Sequence, residues 1–220
     1  MILHTFTLTL DPANPMHDTA KELRGFFATK LAGYTELHKH DAETFIYRYP
    51  VIQYKMIKNI HTVTGINEGA EVLKTICDES REIRLGTEIY RIIERGLAIK
   101  DEAFGISDTI HSYEFLTPWL AFSQENYKRF YKLKGKEERD GFVQKILIQN
   151  IGSLSKSLGY EVPAPITCKT NLHFQKDRIG EVSDITFTGK FQANFLIPDF
   201  LGIGKSVSQG FGTVQQIPPG

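Results

Sequence analysis

The sequence predicts an α+β protein made of two consecutive units, each with strands and helices. The chain has 220 residues, enough for one large or two small domains. Hydrophobic residues make up 41% and charged residues 24%, which is typical of an ordinary soluble globular protein. Segments of alternating apolar and polar residues are interspersed with segments in which apolar residues recur at helical spacing. Both kinds of segment occur in each half of the chain.

The first half predicts the order strand, helix, strand, strand, helix, strand. Residues 2–10 alternate apolar and polar side chains, and residues 44–57 are rich in aromatic and branched ones. Between them, Asp18 can cap a helix that ends near Gly33. The remaining strand, helix and strand are expected at 59–66, 67–79 and 88–99. This β-α-β-β-α-β order is that of the ferredoxin-like (RRM-like) fold.

The second half predicts a degenerate copy of the same fold. Helical spacing covers most of residues 123–159. The predicted strands cover 109–122, 166–175, 182–197 and 212–217. No obvious second helix precedes the last strand, so the copy is incomplete. We therefore expect two tandem domains, at 1–107 and 108–220, with a glycine-rich loop near the C-terminus.

The composition argues against several classes of protein. The longest apolar runs are too short to cross a bilayer, and the first residues lack the features of a signal peptide. We therefore expect a cytoplasmic protein without a membrane partner. The two cysteines, Cys77 and Cys168, lack metal-ligand spacing and favour reduced thiols over a disulfide or a zinc site. The net charge of zero argues against indiscriminate binding to nucleic acid.

Positive charge is nevertheless concentrated in the second half. Residues 110–220 carry 13 Lys/Arg and 10 Asp/Glu, a net charge of +3, whereas residues 1–109 carry 13 and 16, a net charge of −3. The predicted helical segment holds a basic cluster, which consists of Lys128, Arg129, Lys132, Lys134, Lys136 and Arg139. Such a cluster is either a solvated helix face or a surface that binds an anionic partner.

The glycine-rich stretch "GIGKSVSQGFG" at 202–212 does not match a nucleotide-binding loop. A Walker loop needs glycine where Asp199 stands, and the dinucleotide pattern needs glycine where Val207 stands. Its N–H groups and polar side chains could hold phosphates without reading bases. The alternative is a tight loop packed against the first helix. The residues expected to contact phosphates are Gly204, Lys205, Ser206, Ser208 and Gly210.

Two histidines, His38 and His40, lie in the polar segment 35–41 between the first helix and the next strand. In an extended segment, a spacing of two residues puts both imidazoles on the same side. With Asp41 they could ligate a metal ion, although no further motif completes such a site. They could also be a surface pair, or a general acid and base, since the pKa of histidine lies near neutral pH.

Two stretches of the sequence resemble one known group of proteins. The pattern Gly-apolar-Gly, five residues, Gly-apolar-Gly near the C-terminus resembles the glycine loop of the RAMP superfamily of CRISPR-associated RNA-binding proteins. Tandem ferredoxin-like domains are the rule in that superfamily. The longer stretch "PDFLGIGKSVSQGFGTV" is similar to its repeat-processing endoribonuclease branch. The stretch "ELHKHDAETFIYRYPVIQYK" is similar to the subtype I-B enzymes of that branch.

This resemblance implies a metal-independent endoribonuclease without a cofactor. The enzyme is expected to cut CRISPR precursor RNA within each repeat and to leave 2′,3′-cyclic phosphate and 5′-hydroxyl ends. The resemblance implies that His40 is the general base, with His38 or Tyr47 assisting, and that Lys39 and Lys55 offset phosphate charge.

The partners that follow from the resemblance are the precursor and mature repeat RNA, with a CRISPR effector complex or a second copy of the chain as further partners. The glycine loop and the basic cluster, in particular Lys128, Arg129, Lys132 and Lys136, are expected to hold the RNA backbone. The alternative is a noncatalytic RAMP subunit that binds guide RNA. Such a subunit would keep the glycine loop but would not need the His-x-His-Asp stretch.

Overall fold

The computed structural model describes residues 1–12, 20–31, 49–76, 82–179 and 182–218. These residues form two compact units. The N-terminal unit comprises residues 2–102 together with Ser208–Gly210, and the C-terminal unit comprises Met1, Ala103–Val207 and Phe211–Gly220.

The N-terminal unit is a five-stranded sheet covered by two helices. Its elements are β1 (Ile2–Pro12), α1 (Ala20–Leu31), β2 (Ile52–Ile57), β3 (Ile60–Ile66), α2 (Glu68–Ile76), β4 (Glu82–Leu85) and β5 (Glu88–Ala103). The strands lie in the order β2-β3-β1-β5-β4. Apart from the short edge strand β4, this is the strand order of a ferredoxin-like unit. The predicted fold is confirmed for this unit.

The core of this unit lies between the sheet and the two helices. β1 buries Phe6 and Leu8 at alternate positions, and Leu8 pairs with Val63 across the β1–β3 ladder. From the helices, Leu23 and Leu73 join the same cluster. Burying each such side chain contributes about 1.5–3 kcal/mol, so packing rather than intrinsic helix propensity holds these short helices in place.

The C-terminal unit has one sheet of four strands and two consecutive helices. Its elements are β6 (Gly105–Leu120), α3 (Gln124–Lys132), α4 (Lys136–Ser157), β7 (Cys168–Ile179), β8 (Val182–Leu196) and β9 (Val214–Ile217). The strand order β7-β8-β6-β9 repeats the order of the N-terminal unit. A single turn of 3₁₀-helix, Val207–Gln209, stands between β8 and β9 in place of a second long helix. The expected degenerate copy is confirmed.

Aromatic side chains fill the core of the C-terminal unit. The ring of Trp119 is fully buried and stacks on Phe115, with the centroids 5.4 Å apart. Phe130 of α3 packs edge-on against Phe187 of β8 at 6.0 Å, which fixes α3 to the sheet. The hydroxyl of Ser123 accepts a hydrogen bond from the backbone N–H of Asn126 and caps α3.

Two of the differences between the expected and the observed elements lie in the N-terminal unit. β2 begins at Ile52, and Pro50, which lacks the N–H needed for a ladder hydrogen bond, lies before it. Residues 44–48 of the predicted strand lie outside the described residues. The strand β4 was not predicted. It is a four-residue partner of β5, joined to it through a turn at Gly86, whose φ is +57°.

Candidate nucleic-acid interface

The predicted catalytic residues lie outside the part of the chain that the structure describes. They are His38, His40 and Tyr47, and Lys39, which is expected to offset phosphate charge, lies in the same segment. Their roles remain predictions.

Two other histidines are hydrogen-bonded within their own units, as expected for structural residues. The Nδ1 atom of His4 is paired with the carboxylate of Asp101. The side-chain amide of Gln216 donates to Nδ1 of His111 at 3.1 Å, and Ser107 Oγ lies 2.9 Å from Nε2 of the same ring.

Lys55 is fully buried on β2. Its Nζ donates a hydrogen bond to Oε1 of Gln53 at 2.8 Å, and burial lowers the pKa of its ammonium well below the ordinary value. Lys55 pairs with Thr62, and Gln53 pairs with Thr64, so these residues share one polar but buried face of the sheet. From this position the Lys55 side chain does not present an exposed charge to RNA, and the expectation that it offsets phosphate charge does not fit this geometry.

The glycine loop, residues 202–212, is anchored by backbone hydrogen bonds in the C-terminal unit. The N–H groups of Lys205 and Gly212 donate to the carbonyls of Leu120 and Pro118 on β6, at 3.0 Å and 2.8 Å. The N–H of Ile203 donates to the carbonyl of Gly212 at 2.9 Å. These three donors are therefore engaged within the fold.

Steric demand explains why glycine occurs in this loop. At Gly204, φ is +94°, and a Cβ atom would lie 2.5 Å from Nε1 of Trp119 and 2.8 Å from the carbonyl oxygen of Leu120. At Gly210, which belongs to the N-terminal unit, a Cβ atom would lie 2.9 Å from the carbonyl oxygen of Tyr54 and 3.4 Å from Ala20 Cβ on the first helix. The tight loop that formed the alternative interpretation is thus present. Contact with phosphates stays a prediction.

The polar side chains of the loop differ in exposure. Lys205 is exposed, and its Nζ donates to the carbonyl oxygen of Phe122 at 3.0 Å. Ser206 and Ser208 are half-buried, and Ser206 has a φ of +54°. The Lys205 charge is therefore held at a defined place at the end of β6.

The basic cluster extends over α3, the connection after it and the start of α4. Arg139 is half-buried and the other five residues are exposed. None of the six forms an ion pair with another described residue. The carboxylate of Glu138 instead accepts hydrogen bonds from the N–H groups of Lys134 and Gly135 and caps α4. Unpaired cations on a fixed helical scaffold can bind an anionic backbone.

A cavity of about 470 Å³ lies beside the basic cluster within the C-terminal unit. Lys134, Lys136 and Arg139 line it together with the aromatic side chains of Phe130 and Phe174. Sequence reasoning identified the cations but missed Phe174. The alternation in residues 166–175 indicates the face on which Phe174 lies, but it cannot show that the ring is half exposed beside α3.

No group of three or more His, Cys, Asp or Glu side chains in the part of the chain that the structure describes is arranged to hold a metal ion. The described helices include none that is both long and apolar enough to span a membrane.

Comparison with solved structures agrees with the fold derived above. A crystal structure of Cas6b is 32% identical in sequence and superimposes with a TM-score of 0.87, over 99% of this chain and 100% of that chain. A crystal structure of the CRISPR RNA processing endoribonuclease Cas6b has the same identity and coverage, with a TM-score of 0.76. A Cas6 product complex, only 14% identical, has a TM-score of 0.60 over 98% of this chain and 99% of that chain. At that identity the likeness shows the fold alone.

Sequence comparison covers both units. Residues 1–103 match the family model of the Cas6b N-terminal domain, and residues 105–217 match that of the Cas6b C-terminal domain. A protein of Methanocaldococcus jannaschii described as uncharacterised is 37% identical over 142 residues, which cover 62% of this chain and 93% of that protein. The chain belongs to the Cas6b family.

The packing of Gly204 predicts a large loss of stability on substitution. Gly204→Ala would combine a strained backbone with a clash against Trp119 and Leu120, each costing about 1–3 kcal/mol. We expect a decrease of about 2–4 kcal/mol in the free energy of unfolding, measured by chemical denaturation. The matched control is Gly152→Ala in α4, where nothing lies within 4 Å of the new Cβ. It should raise stability by up to about 1 kcal/mol. A Gly204→Ala variant as stable as the wild type would contradict this packing.

The basic cluster predicts a change in the salt dependence of RNA binding. Reversing the charge of Lys132 and Lys136 to Glu should lower the log–log slope of affinity against salt by roughly one unit per lost phosphate contact. The control reverses Lys145 and Lys156, which are also exposed and lie on α4 outside the cluster. It changes net charge equally. If both double variants alter the slope to the same extent, only net charge matters and the cluster is a solvated face.

Proposed function

We propose that this chain cleaves CRISPR precursor RNA within its repeats by metal-independent acid–base catalysis. The chain is a CRISPR RNA processing endoribonuclease, as follows from its membership of the Cas6b family over both domains. The observation that carries the proposed mechanism is the His-x-His-Asp stretch, which the chain has in addition to the glycine loop. A noncatalytic RNA-binding subunit would need only the loop.

The proposed reaction uses the RNA's own 2′-hydroxyl as the nucleophile. A base removes its proton, the 2′-oxygen attacks the adjacent phosphorus, and the bond from phosphorus to the 5′-oxygen breaks. An acid then protonates the leaving 5′-oxygen. The products are a 2′,3′-cyclic phosphate on one fragment and a 5′-hydroxyl on the other, so atoms and charge balance without water or a metal ion.

We assign His40 as the general base and His38 or Tyr47 as the assisting group. Imidazole suits both proton transfers because its pKa lies close to neutral pH. The phosphorane-like transition state carries extra negative charge, which nearby cations such as Lys39 would stabilise. These assignments rest on the sequence pattern and on the resemblance that it carries.

The rest of the chain is proposed to hold the substrate. The exposed lysines and arginines of the basic cluster supply charges that no described carboxylate neutralises, and Lys205 supplies another at the end of β6. The proposed RNA partner is the repeat RNA before and after cutting. The proposed protein partners are a CRISPR effector complex or a second copy of the chain.

The experiment that tests this function is a cleavage assay with the repeat RNA of the same genome in excess chelator. We expect the wild type to cut each repeat once. His40→Ala should remove most of the cleavage and leave RNA affinity within a few-fold, because a general base contributes typically about 10²–10⁴-fold to rate but little to binding.

The matched control is His111→Ala, which removes a histidine whose hydrogen bonds lie within the C-terminal unit. It should cut at a rate close to that of the wild type. A His40→Ala variant that cuts at the wild-type rate would disprove the assignment of the base. A wild type that binds the repeat but never cuts it would favour the noncatalytic alternative.

A further inference from the structure

The cavity beside the basic cluster combines two surfaces of different chemistry. One wall is aromatic and belongs to α3 and to β7, the edge strand of the C-terminal sheet. The other wall is the start of α4 with the connection that precedes it. Its volume of about 470 Å³ falls within the range of about 300–1,000 Å³ that is typical of ligand pockets. It is large enough for a nucleobase with its sugar and phosphate.

Phe174 is the unusual member of the aromatic wall. Its side chain remains 46% exposed, although the ring forms a T-shaped contact with the buried Phe130 at 5.3 Å between centroids. This contact fixes the ring on one side. The exposed part of the ring borders the cavity and offers an aromatic surface on which a planar group can stack.

Three cations and one carboxylate line the cavity, namely Lys134, Lys136, Arg139 and Asp140. Positive charge is therefore in excess. A ligand that matches this lining has an anionic part and a planar, apolar part.

Arg139 is held in place in this wall. Its Nε donates to the carbonyl oxygen of Leu133 at 3.0 Å, and its guanidinium lies over the ring of Phe130 at 5.4 Å. A cation fixed in this way loses little conformational entropy when an anion binds.

We propose that this cavity binds a single unpaired nucleotide of the RNA, with its base stacked on Phe174 and its phosphate held by Lys134 and Lys136. A base within a duplex is already stacked on both faces, so only an unpaired or extruded base can use the ring. The cavity therefore makes RNA recognition sensitive to the presence of a base at one position. The proposal rests on the proposed function, because it takes the ligand to be the RNA that the chain processes.

The test is a coupling experiment between the protein and the RNA. Repeat RNA is prepared as a series in which one nucleotide at a time is abasic. Each RNA carries a 2′-deoxy nucleotide at the mapped cut, so that the RNA stays intact. The affinity of the protein for each RNA is measured in chelator. For the wild type we expect one unpaired position at which the abasic substitution weakens binding by about 5- to 150-fold, the range of base–aromatic stacking. Phe174→Ala should weaken binding of intact RNA by a similar factor and should no longer respond to that abasic position.

Two variants separate stacking from a general defect. Phe174→Trp keeps an aromatic ring and should restore the response to the abasic position. Tyr131→Ala removes a ring of comparable exposure from α3, 40% exposed and outside the lining of the cavity, and should keep the full response. Restoration by Trp would show that Phe174→Ala acts through the lost ring and not through misfolding.

Three outcomes would overturn the proposal. Wild-type affinity could fall equally at every abasic position, Phe174→Ala could remain as sensitive as the wild type, or free AMP and UMP could occupy the cavity without competing with RNA. Cleavage of unmodified repeat RNA is scored in parallel. If the RNA is cut normally but the abasic effect does not depend on Phe174, the pocket is rejected and the proposed function is retained. If the RNA is bound but never cut, the proposed function is rejected, and the abasic measurement still decides whether the pocket binds a base.

Discussion

In the C-terminal unit, the glycine loop stands where a ferredoxin-like fold has its second helix. Backbone hydrogen bonds hold this loop against β6. The second helix of the fold is reduced to one turn, yet β9 still pairs with β6. The loop connects β8 to β9. It is held in place because the N–H groups of Lys205 and Gly212 donate to carbonyls of β6 and because Gly202 pairs with Thr213. At Gly204 and Gly212 the neighbouring atoms leave no room for a Cβ atom, which is why glycine is required at these two positions.

The same packing fixes the surface that is proposed to hold RNA. A Cβ atom at Gly204 would collide with Trp119, whose indole N–H donates to the side-chain oxygen of Asn150 on α4. The loop, β6 and α4 are therefore packed as one body. The backbone that carries the charges at the start of α4 and at Lys205 then keeps a fixed position within the unit, so the cost of ordering this backbone is met on folding and not on binding.

Much of the fold could be predicted from the sequence, because side-chain periodicity reflects burial directly. The alternation in β1 matches its buried Phe6, Leu8 and Leu10. The positions Ala70, Leu73 and Ile76 form one buried face of α2. The strand β4 could not be found, since four residues with two exposed charged side chains provide too short a pattern.

The site was harder to predict because a sequence does not show what covers a sheet face. The polar positions Gln53, Lys55 and Thr64 alternate as solvent-facing residues would, yet the structure buries them. Phe174 differs from these buried polar residues, since it is an apolar residue on an edge strand and yet remains half exposed. The glycine loop was recognisable for a physical reason: its spacing is dictated by steric contacts that do not tolerate other residues.

The central claim is that the RNA supplies its own nucleophile, and one substitution in the substrate tests it most directly. The 2′-hydroxyl of the nucleotide before the cut is replaced by hydrogen, and binding and cleavage are measured in chelator. We expect binding to change little, since one hydroxyl contact is worth only about 1 kcal/mol. Cleavage should stop completely, because the attacking oxygen is gone. Robust cutting of the deoxy-substituted RNA would contradict the account, since another nucleophile would then carry out the reaction.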